Sequence, residues 1–159
     1  MPKKLVGIAA RWKMACLLTL VLVSAGCAVK WTPLYDDTLD KSITTFQENT
    51  EAYLTKLESL PAPPCTYEQN LSFYQQASVQ LSVMQTRATA SQHNTFLLEQ
   101  ISALSKVVDN LKTLQQQAGN TCLNSTVIES QRSGFDRVFE AMLAYELALK
   151  ANVPPAPSK

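Results

Sequence analysis

Apolar residues recur at alternating steps of three and four along most of this chain, which restricts it to helices that bury one seam each. From Leu39, the positions Ile43, Phe46, Thr50, Tyr53, Leu57 and Leu60 follow at spacings of 4, 3, 4, 3, 4 and 3, and only Thr50 is not apolar. Asp36, Asp37 and Asp40 stand where carboxylates suit the positive end of a helix dipole, and Pro61, Pro63 and Pro64 stop the segment. The spacing predicts a helix over 36–60. A second pattern, opened by the capping box Thr66-x-x-Gln69, carries Tyr67, Tyr74, Ala77, Leu81, Met84 and Ala88. A third carries Leu97, Ile101, Leu104, Val108 and Leu111 and is closed by Gly119-Asn120. The last has its own capping box, Thr126-x-x-Glu129. It then shows Ile128, Phe135, Val138, Met142, Tyr145 and Leu149, with Gln131 at the missing position. No segment alternates with period 2 for long enough to be a strand. The fold class is all-α.

The N-terminus reads as an export signal over residues 1–26. Lys3, Lys4, Arg11 and Lys13 precede an apolar run, Met14 to Val23, that is too short for a membrane span. The run leads into Val23-Ser24-Ala25-Gly26-Cys27. Small residues before a Cys, directly after an apolar segment, resemble the lipobox of bacterial prolipoproteins, although Ser24 stands where that pattern usually has Leu. The resemblance covers the first 27 residues only. It implies diacylglycerol on the Cys27 sulfur, cleavage after Gly26 and acylation of the new amino group, which together anchor firmly. Ala28, rather than Asp, after the Cys resembles lipoproteins sent to the outer membrane. The alternative is an ordinary secretory signal cut near Ala25, which would leave a soluble periplasmic protein.

Two architectures fit the seams. Read as one helix, 66–118 would be 53 residues and about 80 Å long, giving three helices with a long central one. However, Thr86 to Thr95 has no large apolar residue, and the seams on its two sides are out of phase. A break there gives helices over 36–60, 66–88, 95–118 and 125–150, matched in length as an antiparallel up-down-up-down four-helix bundle requires. The cysteines favour the bundle. In an oxidising compartment, with Cys16 removed and Cys27 acylated, Cys65 and Cys122 are the remaining thiols. Their Cα atoms must come within about 7 Å to be bridged. The long helix holds them near its opposite ends, whereas the bundle places both loops at one end. The expected organisation is a signal at 1–26, a lipidated tether at 27–35, a bundle at 36–151 and a solvated Pro-rich tail at 152–159.

Without the four basic residues of the leader the chain has 10 basic and 13 acidic residues, which argues against a nucleic-acid partner. His93 is the one histidine, with no acidic or thiol partner nearby in sequence, so a polar turn residue is expected rather than a base or a metal ligand. Met84 and Met142 come without a haem-attachment motif, and the Tyr and Phe residues fall mostly on seams. Ser133-Gly134 lies in mid-helix, unlike a hydrolase elbow, and Gly134 suits a close helix approach or a kink. No cofactor and no metal are expected. The outward positions Gln75, Gln76, Ser78, Gln80, Ser82 and Gln85 are polar but uncharged, which fits a plain drift in composition and equally a protein-contact surface.

These readings lead to a non-enzymatic, lipid-anchored structural or interaction lipoprotein of the cell envelope, its domain in the periplasm. The membrane is reached through lipid on Cys27, with an envelope protein as candidate partner. Alternatives are a periplasmic carrier of a small ligand between its helices, or a phage- or plasmid-exclusion or immunity lipoprotein. Nine residues separate Cys27 from Asp36, about 30 Å at most, so the first helix starts near the lipid, with Trp31 and Tyr35 placed for the interface. The loops 61–65 and 119–124 then form the distal end. Ala62 and Asn120 are the candidate partner contacts there, and Gln92 marks the other end.

Overall fold

The computed structural model describes residues 33–59, 65–91 and 94–151. Residues 1–26, where the export signal is expected, Cys27, Trp31, Leu60, the three prolines 61, 63 and 64, Ala62, Gln92, His93 and the Pro-rich tail lie outside the described residues. Four α-helices run in order: α1 Asp37–Ser59, α2 Leu71–Ala90, α3 Thr95–Ala118 and α4 Ser125–Ala151. A single 3₁₀ turn, Glu68–Asn70, leads into α2. Each helix packs on two neighbours, α1 on α2 and α4, and α3 on α2 and α4, so the four form a closed ring without diagonal approaches. Cys65, before α2, and Cys122, before α4, have their Cα atoms 5.3 Å apart and are joined by a disulfide. Both loops therefore share an end, and the helices alternate up, down, up and down. The stretch 66–118 is two helices.

The core is the meeting of the four seams. Leu39, Ile43, Phe46, Leu54 and Leu57 of α1 face Ala77, Leu81 and Met84 of α2, Leu97, Leu104 and Leu111 of α3, and Phe135, Phe139 and Met142 of α4. Phe46 meets Phe139 edge to face, centroids 5.8 Å apart. The expected seam of α4 needs correcting in its second half. Val138 and Tyr145 are only half-buried, and Phe139 and Glu146 take the central positions. From Phe135 the inward steps are 4, 3, 4 and 3 rather than 3, 4, 3 and 4. A helix buries a stripe broader than one seam, and the larger Phe139 claims its centre.

The helix ends differ from the expected caps in instructive ways. Asp36 caps α1, its Oδ1 accepting the N–H groups of Thr38 at 2.9 Å and Leu39 at 3.2 Å. Thr66 and Gln69 form half of the expected box. Gln69 Oε1 accepts the Thr66 N–H at 3.4 Å, but the Thr66 hydroxyl donates to that same oxygen and caps nothing. The chain spends 68–70 as a 3₁₀ turn, so α2 begins at Leu71. At α4 the cap is Asn124, whose Oδ1 accepts the Val127 N–H at 2.9 Å. Thr126 is already inside the first turn, and Glu129 reaches Arg132 instead. Between α2 and α3, Ser91 turns to extended backbone, so the break is made without Gly or Pro. Gly119 ends α3 with φ +59°, a conformation that costs a residue without Cβ little.

Candidate functional site

The stapled end is built around a buried glutamine. One step past Leu111 on the α3 seam, Gln115 is buried with its Oε1 accepting hydrogen bonds from the Tyr53 hydroxyl, at 2.8 Å, and from the Tyr74 hydroxyl. Its Nε2 donates to the Cys65 carbonyl at 3.1 Å. One side chain thus ties α1, α2 and α3 to the disulfide loop. Burial raises the pKa of both phenols, which stay neutral donors. Phe73 stacks on Tyr53 with centroids 3.7 Å apart, and Lys112 lies 5.7 Å over the Tyr67 ring. On the outside, Arg132 of α4 pairs with Glu51 and with Glu58, the latter at 2.7 Å, clamping α4 to α1.

The open end holds the molecule's most perturbed carboxyl. Glu146 of α4 is 1% exposed, and its Oε2 has no hydrogen-bond partner. Burial first, then the Asp40 and Asp36 carboxylates, push its pKa up to about 7. Asn94, before α3, is buried at the same end with its Oδ1 unpartnered. Two of the surrounding carboxylates are ion-paired. Asp36 meets Arg87 at 3.3 Å and Asp37 meets Lys41 at 2.6 Å. Asp40 accepts the Tyr35 hydroxyl at 2.6 Å, which raises the phenol's pKa, and Lys150 lies 5.3 Å over the Tyr35 ring. Tyr35 is therefore engaged within the bundle and only partly available to an interface.

Shallow grooves run between neighbouring helices. One, between α1 and α2, is lined by Thr38, Lys41, Ser42, Thr45, Val79 and Val83. Another, between α2 and α3, is lined by serines 78, 82 and 105 with Leu81, Asp109 and Lys112. Val79 is 63% exposed and Val83 46%, on a helix whose one charged residue is Arg87. Gly134 faces α3, where a Cβ would meet Val107 at 3.5 Å, an ordinary contact.

The structure joins Cys65 to Cys122 and puts Asn120 exposed in the turn beside them. Met84 and Met142 are fully buried in the core. No three His, Cys, Asp or Glu side chains come close enough to hold a metal among the described residues. Glu146, Gln115 and Asn94 escaped the sequence reading. The first two sit at core steps that periodicity does mark, Gln115 four residues after Leu111 and Glu146 four after Met142. Asn94, just before α3, has no such signal. No protein-family model, no curated protein and no solved structure matches the chain.

Proposed function

We propose that this chain is a lipid-anchored interaction lipoprotein of the bacterial cell envelope, without enzymatic activity, held to the outer membrane through Cys27 with its bundle in the periplasm. The observation that carries the interaction role is the stapled end. Its disulfide and the Tyr53–Tyr74–Gln115–Cys65 network fix Cys65 and Cys122 against three helices, and a preorganised surface loses little freedom on binding. In chain order that end also follows Cys27 only after the whole of α1. Photo-crosslinkers at Ala62 and Asn120 are expected to capture an envelope protein in cells, and one at Gln92 to capture none. Capture from Gln92 alone overturns the reading. A second reading has the partner on the side of the bundle, and the uncharged α2 surface with exposed Val79 and Val83 favours it. A crosslinker at Val79 separates the two.

The anchor is tested on its own. Metabolic labelling with a fatty-acid analogue is expected to mark the wild type and not Cys27→Ser. Labelling that survives the substitution rules out Cys27 as the acylated residue.

A further inference from the structure

Six large apolar side chains are notably exposed among the described residues, and three of them gather at the open end. Leu34, just before α1, is 74% exposed; Leu147, near the end of α4, is 66% exposed; Phe96, the second residue of α3, is 37% exposed. They come from separate segments, and ring contacts show that these segments meet. Lys150 of α4, three residues after Leu147 and on the same face of that helix, covers Tyr35, next to Leu34, while Phe96 lies 4.7 Å from Tyr145 on the other flank of α4. Leu147 is four residues from the end of α4, about 6 Å along its axis. Scattered apolar residues on a surface need no explanation, but a group on one rim does.

We propose that this end is a bilayer-contacting face, with Leu34, Phe96 and Leu147 entering the lipid interface. It rests on the anchored reading above for its tether and goes beyond it in naming the surface. Two observations select lipid as the occupant. Pro33 stands six positions after Cys27, about 20 Å of chain at most, so an acylated Cys27 keeps this rim beside the membrane. Much of the charge here is also engaged internally. Arg87, Lys41 and the Tyr35 hydroxyl engage Asp36, Asp37 and Asp40, while Lys150 lies over the Tyr35 ring. A rim whose charged groups are largely engaged within the bundle, with exposed Leu and Phe, suits the interface of a zwitterionic bilayer, where such side chains are favoured. Val79 and Val83, on the flank of α2, stay in water in this arrangement.

The test uses the mature full-length lipoprotein in phosphatidylcholine vesicles whose acyl chains carry bromine as a fluorescence quencher. In a Trp31→Phe background, single reporters are placed by Leu34→Trp, Leu147→Trp and Val79→Trp, each at an exposed site that tolerates the ring. The first two are expected to lose most of their emission and shift it to shorter wavelength, insensitive to added salt, while the Val79 reporter keeps its intensity. Equal quenching of all three means the bundle lies flat and overturns the proposal. So does a Leu147 reporter that is unquenched in protein whose acylation is confirmed by mass spectrometry. Absence of that acyl mass reports failure of the anchor instead, and the same reporters with externally added vesicles then decide the face by the same criterion.

Discussion

Thr50 occupies the middle of the α1 seam, fully buried, with its hydroxyl unpartnered. A buried hydroxyl without a partner costs on the order of 1–3 kcal/mol, so Thr50→Val, which keeps the branched shape, is expected to stabilise the protein by about 1 kcal/mol in urea unfolding. A loss of stability would show that the hydroxyl has a partner after all. Glu146 predicts a pH dependence of definite sign. Its carboxyl titrates near 7 when folded, above its usual 4.5, so between these values the folded protein binds more protons than the unfolded chain. Stability from this residue is therefore full below about pH 4.5 and falls as pH rises through 7, by on the order of 3 kcal/mol. Glu146→Gln is expected to flatten the fall and to raise stability at pH 8. Urea midpoints at pH 4.5 and 8 check it. An unchanged slope in the variant assigns the dependence elsewhere.

At the scale of the helix, the repeat showed where apolar stripes begin, end and slip, and this is why the break between α2 and α3 was legible without Gly or Pro. What it could not show is which of two adjacent rows lies at the centre. On α4 the rows through Val138 and Tyr145 and through Phe139 and Glu146 are both consistent with the spacing, and only packing against Phe46 decides between them. Gln115 was hidden differently, since a polar residue at a core step reads as surface until its three partners, from distant parts of the chain, are in place. The caps misled for a local reason. Thr126-x-x-Glu129 has the residue types of a capping box, but Asn124 stands just before the helix and accepts the Val127 N–H. Asn124→Ala is thus expected to cost about 1 kcal/mol, and Thr126→Ala, at an exposed position inside the first turn, close to nothing. The reverse order in thermal unfolding would return the cap to Thr126.

For the whole molecule, the bridge between Cys65 and Cys122 acts on a bundle already closed by its seams. It joins residues 57 apart, and in the chain-entropy model a loop of that size stabilises by about 4 kcal/mol through restriction of the unfolded chain. The folded state does not depend on it for topology. α1 and α4 meet through Phe46 and Phe139 and through the Arg132 pairs to Glu51 and Glu58. α3 is tied to α1 and α2 by Gln115 through Tyr53 and Tyr74, and the same glutamine holds the Cys65 carbonyl. Those contacts lie in the native state and remain when the sulfurs are separated. The double variant Cys65→Ser/Cys122→Ser is therefore expected to keep its helical circular dichroism and its near-ultraviolet tyrosine signal while its urea midpoint falls. Its denaturant slope is expected to rise slightly, because an unbridged chain exposes more surface on unfolding. Loss of the tyrosine signal in the folded variant would mean that the staple, and not the glutamine network, organises this end of the bundle.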